Sequence, residues 1–287
     1  GVISQKQMSK LIDHADYQDL ILLARLSENT CNNVSGLWKG AQMVNVAIAP
    51  AMLVLRTPGV RESLAAELAT MGALPGVPTA LELAKADIAE RYQKPGAVYL
   101  GVVSRLDAAV TGVLIFARTS KAAARLSAQF RERSTEKTYL ALTSHAPREK
   151  SATVRCWLKR DERRKLTVAA SQNDPDAQLC SLSYHTIAER DGMHLLQVSL
   201  ETGRKHQIRA QFSALNMPIA GDRRYGSRLS FPAGIALHAV ALRIQHPVIP
   251  SECNFVAPLP TYWPRWINPV VQSAFQTTLP RPSGSPD

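Results

Sequence analysis

Ser104-Arg105-Leu106-Asp107 opens the most informative stretch of this chain, which continues through Val110-Thr111-Gly112 into the apolar run at 113–116. A second stretch follows much later and reads Glu201-Thr202-Gly203-Arg204-Lys205-His206-Gln207-Ile208-Arg209. The first stretch places a carboxylate at the end of an apolar strand, and the second places arginines at the start of a helix. An aspartate held against an arginine in a basic surface suits nucleophilic chemistry on a polyanion.

The composition is that of a folded, strongly basic protein. The 287 residues, 45% of them apolar, can form one large domain or one domain with an appendage. A net charge of +11 indicates an acidic partner, and no apolar run reaches the length of a membrane span. Nucleic acid is therefore favoured over a membrane. Fourteen Lys and Arg against five Asp and Glu lie between Arg118 and Lys165, which favours phosphate contact over a merely solvated surface.

The four cysteines are scattered, and neither a C-x-x-C spacing nor a Cys/His cluster with metal-ligand spacing is present. This pattern predicts buried or inert thiols and no metal site. Since no signal peptide is visible either, we expect a cytoplasmic protein.

The order of apolar patterns predicts an α+β fold. Helices are expected at residues 10–26, 79–92, 119–133 and 207–216, the last with Ile208, Phe212 and Leu215 inward. One or two strands are expected at 43–55, and others at 98–103, 113–117, 137–143, 154–158, 178–187, 194–200, 240–244 and 255–258. Strands joined by short loops, with few helices between them, indicate a largely antiparallel mixed sheet flanked by helices. No glycine-rich phosphate loop or dinucleotide fingerprint is present.

Two charged residues are the first candidates for chemistry. Asp107 follows an apolar strand, and a buried carboxylate requires a compensating cation. Arg209 lies near a helix N-terminus, where a cation opposes the helix dipole, so a nearby functional anion explains it. Each also has a simpler interpretation: Asp107 could cap a turn, and Arg209 could be solvated on the helix surface.

Other polar residues are open to two interpretations. His206 and Gln207 could each bind phosphate or cap backbone groups. Tyr139, on the polar side of its strand, could stack on a nucleobase or simply cover the sheet. His238 and His246 have no second ligand at metal spacing, and we interpret both as structural.

The segments 99–142, 200–226 and 236–260 resemble the RluA-type pseudouridine synthases. That family carries H-R-L-D-x-x-(T/S)-G, a K-x-Y strand, T-G-R-x-H-Q-I-R with P-I-x-G-D-x-x-Y-G, then L-H-A and F-x-A-P-x-P. These five motifs occur here in the same order over about the last two thirds of the chain. Ordered matches of this kind are far more specific than any single one.

The resemblance implies the pseudouridine synthase catalytic fold and an isomerase, an intramolecular transferase, that converts uridine in rRNA or tRNA to pseudouridine. By the motif match, Asp107 is the nucleophile and attacks either ribose C1′ or uracil C6. Arg209 would pair with Asp107 and lower its pKa. Tyr139 would stack under the base and assist removal of the C5 proton. No metal or cofactor is implied.

The resemblance also implies a set of substrate-binding residues. Arg105 corresponds to the family arginine that fills the gap left by a flipped nucleotide. Leu237 would be an apolar wall of the pocket. Arg204, His206 and Gln207 complete the set of residues expected to bind the substrate.

Two departures from the family pattern concern substrate choice. Ser104 stands where the family usually has histidine, and the nearest match to an early D-K-P-x-G signature, at 53–59, lacks the lysine. No S4 RNA-binding module is recognisable in the N-terminal segment 1–60. We therefore divide the chain into this poorly defined segment, a catalytic domain at 61–275 and a Pro/Ser-rich tail at 276–287, and expect a monomer.

Two other functions compete with an active synthase. The departures from the motifs motivate a catalytically inactive RNA-binding relative of the same fold, although the retention of Asp107, Tyr139 and Arg209 argues against it. A basic hydrolase or transferase could use Asp107 on a small phosphorylated substrate, but the phosphate loop or metal ligands of such an enzyme are not recognisable. Pseudouridine formation by the purified chain separates the first alternative from activity.

Overall fold

A computed structural model gives the architecture of the chain and describes residues 46–49, 52–57, 79–91, 93 and 95–275. The helix expected at 10–26 and the tail at 276–287 lie outside these residues, as does most of the segment 1–60. No helix of the described ranges is both long and apolar enough to cross a bilayer.

Within the described ranges, eleven strands form one sheet, and their bounds are given from the N-terminus. They are β1 (Val46–Ala49), β2 (Met52–Thr57), β3 (Gly101–Val102), β4 (Thr111–Ala117), β5 (Glu136–Thr143), β6 (Ser151–Asp161), β7 (Leu166–Ala170), β8 (Gln178–Arg190), β9 (Met193–Leu200), β10 (Leu237–Gln245) and β11 (Glu252–Val256). Hydrogen-bonded neighbours run in the order β1, β2, β4, β10, β5, β9, β8, β6, β7, with β3 beside β4 and β11 beside β10. Strands β4 and β10 pair in parallel, and the other pairs of the described sheet are antiparallel.

Four α-helices accompany the sheet in the described residues, and the predicted α+β class is confirmed. They are α1 (Ala80–Arg91), α2 (Ser120–Glu132), α3 (Gln207–Ala214) and α4 (Ile267–Phe275). Thr119 caps α2, since its hydroxyl accepts a hydrogen bond from the Ala122 N–H at 3.1 Å. The helix ends at Arg133, which adopts the left-handed conformation with φ of 60°.

Several predicted boundaries were wrong for local reasons. Helix α3 ends at Ala214, and Leu215 lies 40% exposed instead of inward. Strand β3 has two residues, although a longer strand was expected at 98–103. Strand β7 and helix α4 were not predicted. The first follows a run of basic residues, and the second carries a proline in its first turn, which a helix tolerates there.

The main core lies between the central strands and helices α3 and α4. Its fully buried members include Leu140, Leu196, Val198 and Phe212. A second apolar cluster packs α2 against β4, β10 and the residues around β11. These two clusters hold the start of β4, the middle of β5 and the N-terminus of α3 close together.

Gly112 allows the parallel strands β4 and β10 to approach. Its φ is 121°, which L side chains rarely adopt, and a Cβ there would lie 2.2 Å from the Ala239 carbonyl oxygen. The backbone conformation and the close strand approach therefore explain why the first motif has a glycine at position 112. It brings the turn that carries Asp107 against β10.

Candidate active site

The turn between β3 and β4 presents Asp107. The Val110 N–H closes the turn by donating to the Asp107 carbonyl oxygen at 2.9 Å. The Ile235 N–H donates to the Ala109 carbonyl oxygen at 3.1 Å, which ties the turn to the segment before β10. The position of the Asp107 carboxylate is thus set by backbone hydrogen bonds on both sides.

Arg209 on α3 lies beside this carboxylate. Its Nη1 donates to Asp107 Oδ2 at 3.3 Å, although 102 residues separate the two in the chain. The Asp107 side chain is 22% exposed, whereas that of Arg209 is 6% exposed. The carboxylate therefore faces an opening, and the guanidinium lies behind it.

The closer partner of Arg209 is Asp222, which the sequence analysis quoted in a motif but assigned no role. Arg209 Nε donates to Asp222 Oδ2 at 2.7 Å, and Nη2 donates to Oδ1 at 2.8 Å. This two-bond geometry is the strong form of an arginine–carboxylate pair. The Tyr225 ring lies below the guanidinium, with its centroid 4.8 Å from Cζ. The arginine is thus held in place independently of Asp107.

Two opposing effects set the pKa of Asp107. Burial raises the pKa of Asp107 above its ordinary value, and Arg209, Lys205 and Arg105 oppose that rise without cancelling it. Arg209 therefore lowers the pKa of Asp107 as expected, but the loss of solvent outweighs the attraction of a guanidinium that Asp222 already partly neutralises.

His206 faces the same carboxylate oxygen as a neutral donor. Its Nδ1 lies 2.8 Å from the Tyr225 hydroxyl, which accepts the Thr167 N–H at 2.9 Å. We assign the tyrosine proton to the bond with Nδ1, which leaves the ring proton of His206 on Nε2. Nε2 is 3.7 Å from Asp107 Oδ2. Burial and the neighbouring Arg209 lower the pKa of His206 to about 3, so the ring is neutral at pH 7.

Gln207 holds the loop before α3. Its Oε1 accepts from the Thr202 hydroxyl at 2.7 Å and from the Arg204 N–H at 3.1 Å. Its Nε2 donates to the Ser181 carbonyl at 3.1 Å and to Gln211 Oε1 at 2.9 Å. All four hydrogen bonds of this amide stay within the protein, which favours the capping interpretation.

A cavity of about 400 Å³ opens above these groups. Tyr139 on β5 is half-buried in its lining, and Leu237 on β10 is a buried part of the wall. Burial and the neighbouring Asp107 raise the pKa of the Tyr139 phenol. The cavity brings together all eight residues singled out from the sequence, which are Arg105, Asp107, Tyr139, Arg204, His206, Gln207, Arg209 and Leu237.

Five basic side chains surround the opening of this cavity. Among the described residues, none of the five forms an ion pair with an acidic side chain. Two of them were expected from the motifs, and the charge excess at 118–165 was the signal for the others. The five are Arg105, Arg131, Arg133, Lys137 and Arg204.

The remaining histidine and cysteine predictions concern structure. His238 is buried, with Nδ1 2.7 Å from the Thr111 hydroxyl and Nε2 3.3 Å from the Ala257 carbonyl oxygen. Burial lowers its pKa to about 4. Cys156, Cys180 and Cys253 are free thiols. The described part of the chain contains no group of three or more His, Cys, Asp or Glu side chains arranged to hold a metal ion.

Comparisons with known proteins agree with this geometry. A family model described as RNA pseudouridylate synthase matches residues 72–214, about half of the chain. The chain is 35% identical over 175 residues to the ribosomal large subunit pseudouridine synthase D of Xylella fastidiosa, which covers 56% of this chain and 51% of that protein. It is 37% identical over 162 residues to an uncharacterized RNA pseudouridine synthase of Chloroflexus aurantiacus, covering 56% and 50%. The chain thus spans about half the length of these curated relatives.

A solved structure shows the same fold. The human RNA pseudouridylate synthase domain containing 4 superimposes with a TM-score of 0.60 at 22% identity, over 78% of this chain and 90% of that one. The family model, the relatives and the ordered motifs agree on one assignment. The chain therefore belongs to the RluA-type RNA pseudouridine synthase family.

Proposed function

We propose that this chain is an RNA pseudouridine synthase, an isomerase that converts uridine within RNA to pseudouridine through Asp107. The observation that carries the proposal is the setting of that carboxylate. Arg209 donates a hydrogen bond to one of its oxygens, His206 Nε2 faces the same oxygen at 3.7 Å, and Tyr139 shares with it a cavity lined by basic residues.

The two oxygens of Asp107 have different surroundings. Oδ2 accepts from Arg209 and faces His206 Nε2, whereas Oδ1 has no hydrogen-bond partner in the described part of the chain. We assign the attack to Oδ1, which bonds to ribose C1′ or to uracil C6. In either route the C1′–N1 bond breaks, the uracil turns, and C5 bonds to C1′ as the bond to Oδ1 breaks. C5 loses its proton and N1 gains one, so the atoms balance.

The raised pKa of Asp107 supports its use as a nucleophile. A carboxylate with a raised pKa is more basic than a solvated one, and basicity favours attack. Arg209, Lys205 and Arg105 favour its charged form. The site therefore combines a partly desolvated carboxylate with three cations that favour its charged form.

Tyr139 has two proposed roles that act at different moments. Its ring stacks under the uracil, a contact worth about 1–3 kcal/mol per base. Its hydroxyl assists removal of the C5 proton after Asp107 has formed its bond. The Asp107 charge is one cause of the raised pKa of Tyr139, so neutralising that charge makes the phenol more acidic and better able to relay a proton.

The substrate-binding residues fall into two groups. Arg105 and Arg204 are exposed at the rim, and we propose that Arg105 fills the space left by the flipped nucleotide. Leu237 forms an apolar wall. His206 and Gln207 act within the protein: His206 directs an N–H at Asp107, and Gln207 positions the loop that carries Arg204.

We propose ribosomal RNA as the substrate class ahead of transfer RNA, because several relatives are named as synthases of the ribosomal large subunit. We also propose a cytoplasmic monomer. Strands β1 and β2 join the sheet through β4, so the proposed catalytic domain begins by Val46 and continues to residue 275.

The test is pseudouridine formation by the purified chain on transcribed large-subunit rRNA and on tRNA, followed by mass spectrometry. We expect Asp107→Asn to lower the rate by on the order of 10⁴-fold or more, as loss of an enzymatic nucleophile does. Asp176→Asn, at an exposed loop aspartate, is the matched control and should leave the rate unchanged.

Equal turnover by Asp107→Asn would overturn the mechanism. If the wild-type chain binds both RNAs and forms no product, the chain is instead the catalytically inactive RNA-binding relative.

A further inference from the structure

The cavity continues well beyond Asp107. From Leu237 it follows β10 to Ala241 and Leu242, and from Tyr139 it follows β5 back to Lys137. Lys137 and Tyr139 are two residues apart on one strand, so their side chains leave the same face with Cα atoms about 7 Å apart. The lining therefore extends from the reacting groups along β5 and β10 to residues at the C-terminus of α2.

Three cations from three separate elements meet near this second end. Arg133 follows α2, Lys137 begins β5, and Arg204 lies in the loop before α3. A Cβ built on Gly203 would lie 3.6 Å from Lys137 Nζ, which is an ordinary van der Waals distance, so the lysine reaches this loop without a clash. The Lys137 ammonium thus lies against the loop that carries Arg204.

No acidic side chain neutralises this cluster within the described ranges. Glu136 lies 3.3 Å from Arg243 instead, and Glu201, which lines the cavity, is not within ion-pair distance of any of the three cations. Burial, followed by the repulsion of Arg133, lowers the pKa of Lys137. Like charges held together with partial desolvation favour the binding of an anion.

We propose that Arg133, Lys137 and Arg204 form a subsite for one backbone phosphate of the RNA, the phosphate next to the uridine that enters the cavity. The identification of the anion as RNA rests on the proposed function. Arginine binds phosphate oxygens through two parallel N–H groups, and lysine adds a point charge. The subsite would set how far the strand advances into the groove.

The first test compares Lys137→Met with Lys121→Met, whose lysine is exposed on α2 outside the cavity. The probe is a fluorescent oligouridine, and its Kd is measured over a range of salt concentrations in the Asp107→Asn background. We expect the slope of log K against log salt to shrink by about 0.7 for Lys137→Met, the value for one lost contact to single-stranded nucleic acid. Lys121→Met should keep the full slope, and Lys137→Arg should restore most of it.

The second test replaces single phosphates of the probe by uncharged methylphosphonates. At one linkage, the replacement should weaken binding to the protein that retains Lys137 and should not change binding to the Lys137→Met variant. Binding to the Arg204→Gln variant should also be unaffected by the replacement at that linkage. Thermal unfolding verifies that each variant is folded. If Lys137→Met and Arg204→Gln keep the full salt slope and the full sensitivity at every linkage, the subsite does not exist.

The failure of this subsite and the failure of the proposed function are distinguishable, because binding is measured without turnover. If the wild-type chain makes no pseudouridine but its RNA affinity still falls on replacement at one linkage, the phosphate subsite is supported and the enzymatic function is overturned. If the chain is active but the variants keep the wild-type slope of log K against log salt, the function is supported and the subsite is overturned.

Discussion

Two regions of the cavity differ in whether their charged side chains have oppositely charged partners. The floor is a network of charged and polar side chains that pair with one another and leave Asp107 Oδ1 open to the cavity, whereas the mouth is a set of cations without acidic partners in the described part of the chain. The floor comprises Asp107, His206, Arg209, Asp222 and Tyr225. The mouth comprises Arg105, Arg131, Arg133, Lys137 and Arg204.

The difference follows from the cost of removing charge from water. A buried charge without a partner is strongly destabilising, so the floor contains its own compensating groups. The four arginines of the mouth are exposed and remain solvated, so an unpartnered charge costs little there, whereas Lys137 is half-buried and its pKa is lowered. The floor is therefore arranged before a substrate arrives, and the mouth is left to be neutralised by an anionic ligand.

The largest expected effect is the loss of stability when the floor loses a buried partner. Asp222→Ala leaves the Arg209 guanidinium without its two-bond partner, and we expect the free energy of unfolding to fall by about 3–5 kcal/mol. Urea denaturation measures the change. Arg243→Ala removes exposed pairs with Glu136 and Glu252 and should cost at most about 1 kcal/mol. Equal losses in the two variants would show that burial does not distinguish the floor.

The second effect tests the backbone under the floor. Gly112→Ala places a Cβ against Ala239 at a φ of 121°, and we expect a loss of about 2 kcal/mol or more. Gly96→Ala is the control, because nothing lies within 4 Å of its Cβ position, and it should be neutral or stabilising by about 0.4–1 kcal/mol. Chemical denaturation of both proteins is the measurement. An unaffected Gly112→Ala would mean that β4 and β10 do not need this close approach.

The third effect concerns the mouth, where a substitution should raise the stability of the fold instead of lowering it. Arg133→Gly relieves a left-handed residue after α2 and should stabilise the fold by about 1 kcal/mol while weakening oligouridine binding. Arg131→Gly removes the same charge from within the helix and should destabilise by about 1 kcal/mol. Thermal unfolding with parallel binding measurements separates the two. A stabilised Arg133→Gly with undiminished RNA binding would show that the strained arginine has no binding role.

The smallest effect is the stability change caused by the nucleophile itself. Burial raises the pKa of Asp107 above its value in the unfolded chain, so between the two pKa values the folded state binds more protons. The free energy of unfolding therefore falls as pH rises through that range, and the ionised carboxylate costs stability at neutral pH. We expect Asp107→Asn to unfold at a higher temperature than wild type at pH 7, and the difference to vanish below both pKa values. A lower Tm at pH 7 would show that Arg209 contributes more than desolvation costs.

Much of the site was readable from the sequence because its residues lie in short, ordered motifs. The motifs predicted that Arg209 pairs with Asp107, and Arg209 Nη1 lies 3.3 Å from Asp107 Oδ2. The strand at 137–143 and the helix at 119–133 were also predicted, since alternation and helical apolar spacing are local patterns. Three features were not predicted correctly. Strand β7 follows a polar turn, helix α4 carries a proline in its first turn, and the end of α3 was misjudged because Leu215, though apolar, is exposed.

By itself, the sequence determined the α+β class, the basic character and the family, since these depend on residue types, local order and total charge. Only the tertiary structure decided that Asp222 is the closer partner of Arg209, that the pKa of Asp107 rises, and that Arg133, Lys137 and Arg204 come together. Each of these depends on contacts between distant segments and on how much water they exclude. Spacing along a chain contains neither quantity.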